Sequence, residues 1–345
     1  MLTLAYIGNG KSANRYHIPF VRTRPEKFRV KTIYSRVVES LWAPLEGVDY
    51  TTDIEKVWND PEIDLVVVCT RYDSHYEFAR TALEHGKNAL IEKPFTSTGA
   101  QAKELFALAK EKGLFLQGYQ NRRFDSDFLT VQKVIESGRL GDLFEIEMHF
   151  DYYRPEVPKR WGTSYSPYMS MLYGHGVHTV DQVLSYFGSP DSVHADVRQL
   201  LGASHKSDYF DLDMYYGALK VSVKSSYFRA TQRPSFVIYG KQGCFVKSAK
   251  DRQEEHLKHF YLPGQRGFGV DDEEHYSTLT YYDEDGGFHE QKVVSEVGDY
   301  ARFYDGIYET IVNGALKVVK DEQTIELIHI LEEGIRTLTE KGARA

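Results

Sequence analysis

The segment YGHGVHTVD carries residue types that can move protons or bind a metal ion. His175, His178 and Asp181 follow one another at intervals of three, which in a helix places them within one face. Histidine titrates near neutral pH, so an imidazole here could carry the proton of a redox step on a hydroxyl or carbonyl group. Two histidines and a carboxylate could instead form a facial metal site, and ordinary packing is the third alternative.

A glycine-rich loop offers a second kind of chemistry. IGNGKSA places Gly8, Gly10 and Ala13 in a G-x-G-x-x-G/A pattern, with Lys11 and Ser12 between them. The first glycine permits a tight turn, the second lets a pyrophosphate approach the backbone, and the small third residue lets helix pack on strand. The positive end of the following helix would face the phosphates. Turns are rich in glycine, but the position between a strand and a helix favours dinucleotide binding.

The second predicted strand ends in IYSR, where an acid would bind the adenosine ribose of NAD. Ser35 and Arg36 occupy this position instead, and a hydroxyl followed by a guanidinium suits a 2′-phosphate. The sequence therefore favours NADP over NAD as the cofactor. The alternative for Arg36 is a solvated surface residue.

Alternating strands and helices must position these residues in the first third of the chain. Strands are predicted at 2–8, 28–36, 64–70, 88–93 and 114–120. Helices are predicted at 12–23, 53–60, 74–86 and 98–113. Apolar strands with helices between them indicate a parallel sheet covered on both faces. We therefore predict a Rossmann dinucleotide-binding domain over residues 1–121.

The pattern changes after residue 121. FEIEMHFDYY alternates apolar and polar residues, which is typical of an antiparallel strand with one solvated face. Further strands are predicted at 192–200, 208–216, 218–225, 235–239, 243–248 and 276–282. Helices are predicted at 124–141, 299–313 and 321–341. We predict an α+β substrate and oligomerisation domain over 122–345 with an open, mostly antiparallel sheet, whose C-terminal helices can pack back on the first domain.

Composition excludes several classes of partner. The 345 residues are 41% hydrophobic and 27% charged, with a net charge of −8 and no block of basic residues, which argues against a nucleic acid partner. The apolar runs are too short to span a membrane, so no membrane partner is predicted. Cys69 and Cys244 have neither metal-ligand nor disulfide-framework spacing. A cytoplasmic protein fits these features.

Four stretches in order resemble the Gfo/Idh/MocA oxidoreductases, a family of nicotinamide-dependent sugar and polyol dehydrogenases and related reductases. They are IGNGKSA, VVVCTRYDSHYEFARTALEHGKNALIEKPF, YQNRRFD and GHGVHTVDQVLSYFG. The resemblance covers essentially the whole chain and implies a small-molecule substrate.

The resemblance implies that Lys93, in the EKP motif with Glu92 and Pro94, lies beside the nicotinamide and orients the reacting oxygen. A lysine at a strand end of a parallel sheet could bond a developing alkoxide, whereas an unaided lysine there would be a surface charge. The resemblance also implies cofactor contacts from Thr70, Arg71, His75, Asn121, Arg122 and Trp161. The family's usual proline after the threonine is Arg71 here, and core packing is the alternative for Trp161.

The family helix usually reads Asp-x-Gly-x-His-x-x-Asp, and its catalytic histidine aligns with His178. Gly174 stands where many members carry an aspartate. His175 has no family role, and metal pairs on helices usually use a four-residue spacing, so no metal is predicted. The resemblance favours an NAD(P)-dependent oxidoreductase that acts on a sugar, polyol or related carbonyl, as a homo-oligomer of two or four copies. The alternative is a non-catalytic dinucleotide-binding regulator or sensor.

Overall fold

The computed structural model describes residues 1–37, 40–156, 166–202 and 205–342. By its internal contacts the chain divides into two units. The first contains residues 1–121, 253–268 and 299–328, and the second contains 122–252, 269–298 and 329–345. The first unit thus includes two later segments of the chain. The division into domains at 1–121 and 122–345 stays a prediction.

Strands and helices are numbered in chain order. The strands are β1 (Leu2–Ile7), β2 (Phe28–Tyr34), β3 (Asp49–Thr51), β4 (Leu65–Val68), β5 (Asn88–Ile91), β6 (Leu116–Gly118), β7 (Leu143–His149), β8 (Ser192–Arg198), β9 (Tyr209–Tyr216), β10 (Leu219–Ser226), β11 (Phe236–Gly240), β12 (Gly243–Lys247), β13 (Ser277–Tyr282) and β14 (Phe288–Val293). The helices are α1 (Ile18–Val21), α2 (Glu55–Trp58), α3 (His75–Glu84), α4 (Gly99–Lys112), α5 (Ser126–Glu136), α6 (Val177–Phe187), α7 (Gln253–Lys258), α8 (Ala301–Asn313) and α9 (Asp321–Gly342). Two π-helices, Ser12–His17 and Leu172–Gly176, lead directly into α1 and α6.

The first unit is built on a six-stranded sheet in the order β3-β2-β1-β4-β5-β6. All its strand pairs are parallel. This order is that of a dinucleotide-binding Rossmann sheet. Strands β1 and β4 are buried along their whole length, because helices cover both faces. The buried parallel sheet that the apolar runs predict is therefore confirmed.

The second unit is built on an eight-stranded sheet in the order β14-β13-β12-β11-β7-β10-β9-β8. Its neighbours are antiparallel except β7 and β10, which run parallel. In β7, Ile146 and Met148 are buried while Glu145 and Glu147 are partly exposed, as the alternation predicts. The alternation is wrong at both ends of the segment, because Phe144 is exposed and His149 is buried. The predicted fold class, a Rossmann domain followed by a mostly antiparallel α+β domain, is confirmed.

Candidate active site

The carboxyl ends of four neighbouring parallel strands bring the predicted cofactor motifs of the first unit to one edge of the sheet. Each strand end is tied to the next by a backbone bond: Cys69 N donates to Ile7 O, and Glu92 N donates to Val68 O. Tyr119 N continues the series by donating to the carbonyl of the last residue of β5. In open α/β sheets this edge is where ligands bind. The glycine loop, the threonine after β4 and the EKP motif therefore share one edge.

The glycine loop has the geometry that a bound pyrophosphate requires. Gly8 has a φ of +112°, and a Cβ there would lie 2.7 Å from the carbonyl oxygen of Cys69, so any side chain would be strained and would clash. At Gly10, no described atom outside the glycine and its two neighbours in the chain lies within 4 Å of the position that a Cβ would take. Ala13 is fully buried against the sheet, and Lys11 is exposed. The loop therefore fits a nicotinamide dinucleotide, with open space at the second glycine.

Glu92 links the glycine loop to the EKP motif. Its carboxylate accepts hydrogen bonds from the Ser12 hydroxyl, from His17 Nε2 at 3.0 Å and from the backbone N–H of Lys93 at 2.9 Å. Burial alone would raise the pKa of the Glu92 carboxyl, but the hydrogen bonds and the charges of His17 and Lys93 lower it, to about 2. A buried carboxylate thus stays ionised and fixes the backbone that carries Lys93.

Sequence reasoning missed the aromatic residues that hold Glu92 in place. His17 is fully buried, lies with Nδ1 2.6 Å from the Tyr304 hydroxyl, and stacks on Tyr119 with ring centroids 3.9 Å apart. Because Glu92 is ionised, His17 Nε2 carries the proton that it shares with the carboxylate. The hydroxyls of Tyr6 and Tyr304 lie 3.4 Å apart. The only sequence signal was a histidine and several tyrosines in apolar surroundings, which does not indicate a network.

The predicted cofactor residue His75 contacts the segments that follow β4 and β5. His75 is buried, and its ring nitrogens lie 2.8 Å from the Pro94 carbonyl and 3.1 Å from the Thr70 carbonyl. Burial lowers the pKa of His75, so the neutral ring has one N–H to donate. His75 therefore donates a hydrogen bond to one of these two carbonyls, and its ring lies between the residues that follow β4 and β5. Lys93 is half-buried, and the Lys93–Pro94 peptide bond is cis.

The remaining predicted contacts of the first unit differ in exposure. Arg36 is exposed, and the Ser35 hydroxyl donates to the Val37 carbonyl at 2.6 Å. Arg71 is exposed and pairs with Asp73 at 3.2 Å, whereas Asn121 is buried. None of these contacts with a cofactor is tested by the structure, and they stay predictions.

In the second unit the predicted catalytic helix is not one continuous α-helix. His175 lies in the π-helix Leu172–Gly176, and His178 is the second residue of α6. The prediction that the two histidines and Asp181 share one face assumed α-helical spacing, which the wider π-helical turn changes. The His175 ring packs on Phe150, with ring centroids 5.4 Å apart. That His175 shares one face with His178 and Asp181 stays a prediction, and His178 and Asp181 keep their three-residue spacing within α6.

His178 itself is buried, with 6% of its surface exposed. Asp181 is also buried, and its carboxylate accepts two hydrogen bonds from Arg123, at 2.7 and 2.8 Å. Burial raises the pKa of Asp181, and the charge of Arg123 opposes this. At Gly174, no described atom outside its own turn lies within 4 Å of the position that a Cβ would take. Asp181 therefore holds α6 through Arg123, and among the described residues no carboxylate lies within 4 Å of the Cβ position of Gly174.

The predicted cofactor residue Arg122 also lies in the second unit, where its guanidinium stands 5.1 Å from the Phe150 ring centroid. Trp161 lies outside the described residues. Within the described ranges, no group of three or more His, Cys, Asp or Glu side chains could hold a metal ion. The helices of those same ranges include none with the length and apolarity needed to cross a membrane.

These features define a nucleotide-binding oxidoreductase, and comparisons with known proteins give the family. Residues 2–119 match the family described as "Oxidoreductase family, NAD-binding Rossmann fold". Residues 132–342 match the "Oxidoreductase family, C-terminal alpha/beta domain". The chain belongs to the Gfo/Idh/MocA oxidoreductase family, as its sequence motifs predict. It is an NAD(P)-dependent oxidoreductase.

Individual relatives cover nearly all of the chain. The uncharacterized oxidoreductase YhhX of Escherichia coli (strain K12) is 46% identical over 97% of this chain and 96% of its own. The scyllo-inositol 2-dehydrogenase (NADP(+)) IolW of Bacillus subtilis (strain 168) is 32% identical over 99% of this chain and 94% of its own. A crystal structure of a probable oxidoreductase yhhX superposes with a TM-score of 0.93 at 46% identity, covering 97% of each chain.

Proposed function

We propose that this enzyme transfers a hydride between NADP(H) and a sugar, a polyol or a related carbonyl compound. The observation that carries the proposal is the Glu92 bridge. One buried carboxylate binds Ser12 of the phosphate-binding loop and the backbone of Lys93. Glu92 thereby fixes the position of Lys93, which is predicted to orient the substrate oxygen, relative to the glycine loop, which is predicted to bind the cofactor.

A nicotinamide dinucleotide held by the glycine loop would supply or accept the hydride, and side chains of the protein would bind the substrate oxygen and transfer its proton. Lys93 donates a hydrogen bond to the substrate oxygen and stabilises negative charge as it develops there. The imidazole of His178 takes the hydroxyl proton during oxidation and returns it during reduction. Asp181, bound to Arg123, keeps the helix of His178 in place. Lys93 and His178 are therefore the catalytic residues of this proposal.

The choice of NADP rests on Ser35 and Arg36. An exposed guanidinium at the end of β2 can pair with a 2′-phosphate, which NAD lacks. The relative IolW has NADP(+) in its name and an inositol as its substrate, which agrees with both halves of the proposal. A homo-oligomer of two or four copies and a cytoplasmic location stay expectations from the sequence.

Binding titrations with NADPH and NADH test the cofactor. We expect the wild-type protein to bind NADPH more tightly than NADH. Arg36→Ser should weaken NADPH binding by about 10-fold, because one charge-assisted contact is lost, and should leave NADH binding unchanged. Arg80→Ser is the matched control, since Arg80 is an exposed arginine on α3 of the same unit. A wild-type preference for NADH would refute the role of Arg36.

A further inference from the structure

A basic aromatic cluster in the second unit is not explained by hydride transfer to a neutral sugar. Its aromatic members pack on one another. The His175 ring lies 4.9 Å from Tyr152, 5.4 Å from Phe150 and 6.3 Å from Tyr227, measured between ring centroids. Phe150 and Tyr227 are buried, while Tyr152 and His175 are half-buried. The cluster therefore presents part of its ring surface to solvent.

Three cations stand over these rings. Lys250 Nζ lies 4.2 Å from the Phe150 centroid and 4.8 Å from that of Tyr152. The Arg154 guanidinium lies 4.4 Å from the Tyr152 centroid and 5.7 Å from that of Tyr227. The Arg122 guanidinium stands over Phe150. Attraction to the ring faces holds cations in place without neutralising their charge.

Two acids of this region, Asp151 and Asp125, are paired with arginines, and Lys250 Nζ donates a hydrogen bond to the backbone carbonyl of Asp151 at 2.9 Å. Asp151 is buried, and its carboxylate accepts hydrogen bonds from Arg233 at 2.8 and 3.0 Å. Arg122 pairs with Asp125 at 3.2 Å. Arg154 is exposed, and within the part of the chain that the structure describes it makes no ion pair with a carboxylate. The cluster thus offers a guanidinium, supported by the ammonium of Lys250, to an anion from solution.

The position of the cluster connects it with the chemistry. His175 belongs to the π-helix that runs directly into α6, and it precedes His178 by about one helical turn. Aromatic rings stack on the apolar face of a sugar ring, and arginine binds carboxylate or phosphate oxygens through paired N–H groups. Rings and cations together fit a polyol that carries an anionic group.

We propose that the substrate is a sugar or polyol with an anionic substituent, a carboxylate or a phosphate, held by the basic aromatic cluster through Arg154 and Lys250. This inference rests on the proposed function, because it specifies the substrate of the same enzyme. The anionic group binds and orients the molecule and is not changed in the reaction. Hydride transfer takes place at a separate hydroxyl or carbonyl carbon.

Matched pairs of compounds that differ in charge test the proposal. Oxidation with NADP⁺ and binding by calorimetry are measured for D-glucuronate against D-glucuronamide, and for D-glucose 6-phosphate against D-glucose. The same pairs are then measured for the uronates and aldonates of other common hexoses. In at least one pair, we expect the charged compound to be bound and oxidised about 10-fold or more better than its neutral counterpart. The carboxylate and phosphate pairs identify which anion is bound.

Variants assign the preference to the cluster. Arg154→Met and Lys250→Met should lower the charge preference toward equality, and Lys250→Arg should retain it. Arg139→Met is the matched control, because Arg139 also stands over a tyrosine ring, that of Tyr281 at 5.5 Å, outside the cluster. Gly174→Asp should lower the preference more than Gly174→Asn, since only the first adds a negative charge next to His175.

The outcomes separate this inference from the proposed function. Turnover of neutral sugars with no preference for charge would overturn the inference and leave the oxidoreductase function standing. A second outcome is that the wild-type protein binds the charged compounds more tightly, loses this preference in Arg154→Met, and transfers no hydride to any compound. That outcome would support an anion site in the cluster and refute the proposed function. Weaker NADPH binding in Arg154→Met with an unchanged charge preference would also overturn the inference, because the cation would then serve the cofactor.

Discussion

The buried network around Glu92 joins residues that lie far apart in the sequence of the first unit. The contact between Glu92 and Ser12 joins residues 80 positions apart, and His17 meets Tyr304 across 287 positions. A single sequence contains no signal for such pairings. The network behind the motifs therefore became visible only in the folded chain.

Glu92 should also make the stability of the protein depend on acid pH. Its pKa falls from 4.5 to about 2 on folding, so its stabilisation is full above about pH 4.5 and is lost as the pH falls toward 2, a difference of about 3 kcal/mol. Glu92→Gln should lower the free energy of unfolding by about this amount near neutral pH. It should also flatten the dependence on pH below about 4.5, as measured by chemical denaturation.

Glu111→Gln provides the control for that series, because Glu111 is an exposed glutamate on α4 of the same unit. Its stability profile should follow that of the wild-type protein. A Glu92→Gln profile as steep in acid as the wild-type profile would contradict the account of the buried network.

At the scale of elements, the sequence pattern predicts every described strand except β3 and β14. β14 is the edge strand of its sheet, and its residues are exposed or half-exposed, so FHEQKV shows no clear apolar alternation. β3 has three residues at the other sheet's edge, and α7 has six residues. Neither is long enough to show a period. The two π-helices were not predicted either, because segments of six and five residues are too short to show a change of helical period.

The start of α5 carries a buried pair of acids with a consequence for stability. Burial and then the negative charge of Asp251 raise the pKa of Asp127 from 3.8 to about 7. Because the folded-state pKa is the higher one, stability is full below about pH 3.8 and falls as the pH rises toward 7. Asp127→Asn cannot ionise, and its amide oxygen can still accept the hydrogen bond from the Phe128 N–H.

At about pH 8 we expect the free energy of unfolding of Asp127→Asn to exceed that of the wild-type protein by up to about 4 kcal/mol. At about pH 4 the two proteins should have nearly the same free energy of unfolding. Chemical denaturation at both pH values measures the difference. Asp142→Asn, a change at an exposed aspartate of the same unit, should show no such gain. A variant that is less stable than the wild-type protein at the higher pH would show that the carboxylate is ionised and needed there.

At the scale of the whole molecule, the order of motifs along the chain was enough to predict the family and both sheets. The first unit also contains residues 253–268 and 299–328. The sequence pattern predicts C-terminal helices that can pack back on the first domain, but it gives no such expectation for 253–268. The unit to which a late segment belongs depends on the surface against which it packs. Apolar periodicity shows that a helix has a buried face but does not show which element covers that face. The motifs likewise do not predict the basic aromatic cluster, because it combines residues from separate loops and from short helical turns.

The most direct test of the central claim is the rate of hydride transfer, followed by the absorbance of the reduced nicotinamide. The wild-type protein is compared with Lys93→Ala and His178→Ala on a panel of sugars, polyols and sugar acids. We expect turnover with NADP⁺ in the wild-type protein, and a rate at least about 100-fold lower in each variant, with dinucleotide affinity changed far less. Unchanged turnover in either variant, or dinucleotide binding without hydride transfer to any compound, would contradict the account.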